Sequence, residues 1–185
     1  KKADQIIDNN GAVEKTLEII NTKNPNLENK EDVAKKVGMG AIIYTFLKNN
    51  MDKDIVFSWE DMLNFEGESG PYVMYSYVRG KSILRKAENI DINPDLSNLK
   101  TDDEFYLAKH LSLFKETVKQ AAERYEPFVI NRYVTELAKV YNKFYNTHPI
   151  LTADKEVRDA RLALTKAVTI VLATGLGLLG IQPPE

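Results

Sequence analysis

Apolar positions along the chain recur mostly at helical spacing. Lys1 to Asn21 places Ile6, Val13, Leu17 and Ile20 on one candidate face. "NTKNPNLENK" breaks the pattern at Pro25. Glu31 to Leu47 predicts a second helix, although "AIIYTFL" has the β-branched and aromatic content of a strand. "DIVFSW" predicts a short extended piece, and Ser58 with Asp61 a capping box for a turn through Met62 and Leu63. Beyond "GESGP" the periodicity is clearer. Pro71 suits the first turn of a helix to about Glu88, because its missing N–H would be unpaired there anyway.

After the loop "NIDINPDLSNLKTDD", Thr101 and Glu104 cap the next helix. Its face carries Leu107, Leu111 and Phe114, and Val118 and Ala122 continue it after a break near Ser112. Pro127 opens a helix from about Phe128 to Asn146, with Val134, Leu137, Ala138, Tyr141 and Tyr145 inward or on one shoulder. A last helix spans about Val157 to Leu176. These elements predict an all-α fold: a helical bundle over 68–185, preceded by a smaller, mostly helical segment over 1–67, with the boundary at the glycines and proline of "GESGP".

Composition adds bounds. The 185 residues suffice for one sizeable domain, and 43% hydrophobic with 28% charged residues is ordinary globular composition. Without cysteine there is no disulfide, thiolate nucleophile or Cys-based zinc site, which agrees with a cytoplasmic location. The most apolar run, Ala167 to Ile181, is short of the ~20 residues a membrane span needs and predicts a buried helix, not an anchor. A first residue other than Met and an end at "IQPPE" suggest a piece of something longer.

Candidate chemistry is sparse. Gly175, Gly177 and Gly180 spell G-x-G-x-x-G, but the dinucleotide fingerprint needs a strand before it and a helix after it. Here an apolar helix precedes, so the glycines serve helix termination and close packing. His110 and His148 have no carboxylate at metal-ligand spacing and read as surface or capping residues. Glu123 and Glu126 read as a solvated face. No catalytic constellation or metal site stands out.

Net charge is −2, yet Gly70 to Ala87 holds four bases and no acid, interleaved with Tyr72, Tyr75 and Tyr77. On a helix Tyr72, Tyr75 and Arg79 share an arc of roughly 60°, and Lys86 joins them while Arg85 falls off the line. Aromatic faces beside cationic groups suit single-stranded nucleic acid, whose bases stack and whose phosphates carry charge. The competing reading is a tyrosine-rich core stripe with bases snorkelling at its edge. A second acid-free stretch, Ala138 to Ile150, sets Lys139 and Lys143 around Tyr141, Phe144 and Tyr145. Two such helices in an acidic chain suggest one face built for a polyanion.

At these residues the chain resembles the C-terminal part of the arginyl-tRNA synthetase family. "FEGESGPYVMYSYVRGKSILRKA" resembles its F-E-G-x-S/T-A/G-P-Y-x-x-Y-x-x-x-R pattern. "YEPFVINRYVTELAKVYNKFYNTHPIL" and "RDARLALTKAVTIVLATGLGLLGIQPPE" resemble its two later segments. "NPNLENKEDVAKKVGMGAIIY" and "DIVFSWEDMLNFEG" resemble the stretch joining its catalytic and helical domains. The resemblance covers essentially the whole chain. It implies a DALR-type anticodon-binding bundle from about Glu68, with Tyr72, Tyr75, Arg79, Arg85 and Tyr145 around anticodon-loop nucleotides. Tyr141, Lys86, Lys139 and Lys143 are the further candidates from the two basic-aromatic stretches.

The same resemblance implies an arginine tRNA as partner, an upstream catalytic domain in the same chain, and a monomer. It also implies ATP and Mg²⁺ as cofactors of the full-length ligase only. The HIGH-type and KMSKS-type signatures that handle ATP are absent here, so this segment alone is expected to be inactive. The family usually continues with Arg-Met after Pro-Glu, where this sequence stops at Glu185. The rival class is a helical interaction domain without RNA binding. Burial separates the two: exposed Tyr72 and Tyr145 near Arg79 favour RNA, buried rings the rival.

Overall fold

The computed structural model describes residues 9–50, 55, 57–87 and 93–184. Among them every regular element is helical: α1 (Asn9–Lys23), α2 (Lys30–Leu47), α3 (Trp59–Met62), α4 (Gly70–Lys86), a 3₁₀ turn (Leu96–Asn98), α5 (Asp102–Ser112), α6 (Phe114–Arg124), α7 (Phe128–Thr147) and α8 (Lys155–Leu178). Three helix starts follow from side-chain caps in the sequence, at Ser58, Ser69 and Thr101. Ser69 accepts from the Tyr72 N–H and puts Pro71 in the first turn of α4. Thr101 and Glu104 form the full capping box of α5. The expected extended piece falls partly on Asp54 and Val56, outside the described residues; Ile55, Phe57 and Ser58 adopt no regular structure.

The bundle core is one continuous apolar cluster. Leu107, Leu137, Phe144, Leu162, Leu172 and Leu176, drawn from α5, α7 and α8, are among its fully enclosed members. α8 is long and apolar enough to cross a membrane by length and composition, but half of its apolar window is spent inside this core. The glycines near its end have separate reasons. A Cβ on Gly175 would collide with Val134 of α7, while Gly180 takes φ +75° just past the helix, where glycine is the favoured terminator.

The N-terminal helices are not a separate layer. α2 sends Val37 and Tyr44 into the same cluster. The Tyr44 hydroxyl lies 2.5 Å from the Thr135 hydroxyl, and Asn131 Nδ2 donates to the Tyr44 carbonyl at 3.1 Å. A second small cluster joins Ala12, Ala41, Ile42, Met62 and Leu63.

The inward face of α1 differs from the expected one. Ala12 and Thr16 are fully buried with Ile20 beside them, whereas Val13 and Leu17 sit at the margin; Ile6 lies outside the described residues. The cause is backbone approach: a Cβ on Gly38 would fall 2.9 Å from the Ala12 carbonyl oxygen. Two helices that close can place only small side chains between them.

Candidate nucleic-acid interface

α4 and α7 cross so that Arg79 of one meets Tyr145 of the other. The Arg79 guanidinium lies 4.7 Å from the centroid of Tyr75 and 4.6 Å from that of Tyr145, covering one face of each ring. Tyr75 is 47% and Tyr145 38% exposed. Tyr72, one turn before Ser76 on α4, is half-buried in the neighbouring groove wall.

The guanidinium is also held from below. Arg79 Nη1 donates to Asn142 Oδ1 at 2.6 Å, and Asn142 Nδ2 donates to Ser76 Oγ at 2.7 Å. Ser76 Oγ in turn donates to the Tyr72 carbonyl at 2.9 Å. Ser76 and Asn142 are both buried. This chain fixes the cation without neutralising it, because its hydrogen-bond partner is a neutral amide. Sequence reading missed Asn142 and Ser76. The usable signal was spacing: each stands three residues before a site residue, Tyr145 and Arg79, and so on the same helical face.

Two grooves flank the stack. One, of about 720 Å³, is walled by Leu27, Val37, Phe65, Tyr72 and Tyr75 with Glu66 at its edge. The other, of about 640 Å³, runs past Ser82, Lys86, Tyr145, His148 and Thr152. Lys86 thus lies at the site, and Arg85 is exposed on the same helix end but lines neither groove. Among the described residues neither cation pairs with a carboxylate.

Three of the candidates are elsewhere. Tyr141 is fully buried in the core, and burial pushes its hydroxyl up to about 12, so it is a packing residue and not a stacking platform. Lys139 binds Glu68 at 2.5 Å and Glu136 at 2.9 Å, with Lys48 on the far side of Glu68. Those hydrogen bonds raise its own pKa and lower that of Glu68. Lys143 bonds Asp103 at 2.7 Å, and Asp103 also meets His148 Nε2 at 3.2 Å. A stretch without acids in sequence therefore meets Glu68 from just before α4, Glu136 from one turn earlier in α7 and Asp103 from α5.

The histidines are not plain surface residues, although His148 is the C-cap of α7, in keeping with its reading as a capping residue. His148 stacks on Phe144 at 5.5 Å and lies in the wall of the second groove. His110 stacks on Tyr133 at 4.9 Å, is half-buried, and its Nε2 has no partner; desolvation lowers its pKa. Among the described residues no three His, Cys, Asp or Glu side chains converge as metal ligands would.

The chain is similar to known proteins over nearly its whole length. Residues 73–185 match the model of the "DALR anticodon binding domain". The chain is 54% identical over 180 residues to an arginine–tRNA ligase of Clostridium kluyveri, covering 95% of this chain and 32% of that protein. Its fold superposes on Thermus thermophilus arginyl-tRNA synthetase with a TM-score of 0.91 at 40% identity, covering 96% of this chain and 31% of that one. The Plasmodium falciparum arginyl-tRNA synthetase shares the fold, with a TM-score of 0.77 at 24% identity over 96% of this chain and 32% of that one. The chain thus spans about a third of the length of these relatives. With its last four helices and most of α4 inside the matched region, the chain belongs to the DALR anticodon-binding domain family.

Proposed function

We propose that this chain is the anticodon-loop-binding part of an arginine–tRNA ligase, with the Tyr72, Tyr75, Arg79 and Tyr145 surface as its RNA-binding face. One observation carries the reading: a fixed, un-neutralised guanidinium covers two exposed tyrosine rings contributed by two helices. Stacking surface beside positive charge suits unstacked loop nucleotides, which present both base faces and phosphates. The rival reading, an interaction domain whose tyrosines are core, fits Tyr77 and Tyr141 and in part the half-buried Tyr72, but not Tyr75 or Tyr145.

Arg85 and Lys86 extend the positive charge toward the loop backbone. The similarity to ligases supports a longer protein that attaches arginine to its tRNA; its use of ATP and Mg²⁺, a cytoplasmic setting and a monomeric state belong to the same proposal.

Binding of an arginine tRNA at two salt concentrations tests the proposal. Tyr145→Ala should weaken binding by roughly 1–3 kcal/mol with an almost unchanged salt slope, since stacking releases few ions. Parent and variant binding arginine tRNA and an unrelated tRNA equally well would leave the rival standing.

A further inference from the structure

One wall of the second groove is not helical. It is the loop between α7 and α8, from which His148, Pro149, Ile150, Leu151 and Thr152 all line the groove. Connecting segments are the more mobile parts of a fold unless something ties them down. Here the tie is a buried cation on α8.

Arg161, 8% exposed, donates from Nη1 to the Pro149 carbonyl at 2.7 Å and from Nε to Glu104 at 2.7 Å. Pro149 has no N–H, so that carbonyl is its only backbone hydrogen-bonding group. Glu104 accepts in turn from the Lys100 and Thr101 N–H groups at the start of α5. Asp103, in the same first turn of α5, meets the His148 ring at 3.2 Å. The loop is thereby referred to one fixed point, the N-terminal turn of α5.

Holding helices together does not require such a pair, since well-packed apolar side chains of similar volume often do as well or better than a buried ion pair. What apolar packing cannot do is aim a bond at one carbonyl. Arg161 itself is buried and lines neither groove, so it is not an RNA contact.

We infer that Arg161 is a positioning residue: through the Pro149 carbonyl it sets where the loop wall stands relative to Tyr145 and Lys86. The fit of a nucleotide in the second groove then depends on a side chain that never touches it. This rests on the proposed RNA-binding role and extends it, because contact groups bind well only when a supporting shell holds them to within about 0.5 Å.

The test uses the full chain and Arg161→Lys, which keeps a counter-charge for Glu104 and gives up the directed bond to Pro149. An RNA hairpin with the arginine anticodon loop is titrated at two salt concentrations, and amide hydrogen exchange is followed over 148–154. Affinity should fall about 2- to 30-fold. The salt slope should stay at the parent value, because no phosphate contact is lost. Exchange should quicken in the loop while α8 keeps its protection. Ile130→Val, which removes one buried methyl in the first turn of α7, controls for lowered stability alone and should bind like the parent. Faster loop exchange with parental affinity in Arg161→Lys would overturn the inference. So would an equal loss of affinity in Ile130→Val. Should Arg161→Lys fail to fold, the parent alone decides: its loop should be protected before RNA is added. Protection that appears only with the hairpin would mean that RNA, not Arg161, sets the wall. A parent that binds an unrelated hairpin as tightly as the arginine one would instead sink the RNA-binding proposal, a result distinct from these.

Discussion

Divided after Lys139 into two unequal halves, 128–139 and 140–147, α7 places polar residues on one continuous stripe, and the halves do opposite things with them. In the first half, Asn131 and Thr135 anchor Tyr44 of α2, and Lys139 is tied to Glu68 and Glu136. In the second half, Asn142 and Tyr145 hold Arg79 of α4. The first half cancels charge and joins α2 to the bundle; the second fixes a cation in place and leaves its charge in force. Both halves border the same helix, so the distinction lies in the partner. A carboxylate neutralises a lysine, whereas an amide and two π-faces orient a guanidinium without removing its field.

The largest effect should come from removing what the first half holds. A chain beginning at Glu68 would lose Tyr44 and Val37 from the main cluster. At about 1.5–3 kcal/mol for each large apolar side chain buried, that is roughly 3–6 kcal/mol. If the division at Gly67–Pro71 is a domain boundary, the shortened chain should still melt sharply, at a lower temperature, by circular dichroism. A broad, non-cooperative melt would mean that α2 and the bundle are one folding unit.

How much of this was legible beforehand depended on whether the deciding interaction was local. Caps at Ser69 and at Thr101 with Glu104 are short-range, so helix starts could be read directly. The α1 face could not, because the choice between Ala12 and Val13 is made by Gly38 on another helix. Tyr141 and Tyr145 stand one turn apart with the same residue type, and the first is buried where Gly80 of α4 and Thr165 of α8 meet its hydroxyl. The stack was half visible: Tyr75 and Arg79 share a helix, but Asn142 enters from α7. The charges of Lys139 and Lys143 misled because Glu68 and Asp103 lie far away in sequence.

Charge cancellation reaches its buried limit at Glu104 and Arg161. Their side chains are 1% and 10% exposed, 2.7 Å apart, and Glu104 also accepts from the Lys100 and Thr101 N–H groups. Burial alone would raise the Glu104 pKa, but these donors outweigh it and the net shift is downward from 4.5. A depressed folded-state pKa gives stability that is present above about pH 4.5 and lost as pH falls through the folded value. Glu104→Gln should therefore cost about 3–5 kcal/mol near neutral pH, by leaving Arg161 without its counter-charge. It should also flatten the acid side of the stability–pH profile. Urea melts across pH 3–7 would show both; an unchanged acid limb would mean that the pair carries no linkage.

The second half of α7 is probed more gently. Arg79→Ala should weaken tRNA binding by roughly 2 kcal/mol, through lost ring contacts and one phosphate contact, and lower the salt slope by about 0.7. Asn142→Asp sharpens this. A carboxylate there could keep Arg79 in place while cancelling its charge, so the slope should fall as in Arg79→Ala while the melting temperature holds. A slope equal to the parent's in Asn142→Asp would show that Arg79 acts by shape and not by charge.

The smallest effect is expected at Lys139, and it bears most directly on the comparison. By sequence Lys139 and Arg79 look alike, each a base among tyrosines in an acid-free stretch. In the fold Lys139 faces Glu68 and Glu136 beside Lys48, on the side of α7 that meets α2, and lines neither groove of the stack. Its side chain is 39% exposed, so solvent and salt weaken these pairs and their contribution to stability is small. Lys139→Ala should leave the melting temperature nearly unchanged. tRNA affinity should change by less than about twofold, the residue being outside the contact surface, and the salt slope should stay at the parent value. A slope reduced as far as in Arg79→Ala would mean that Lys139 releases its carboxylates for phosphate when RNA arrives. The binding face would then run along the whole stripe of α7, and the contrast between its halves would belong to the free protein alone.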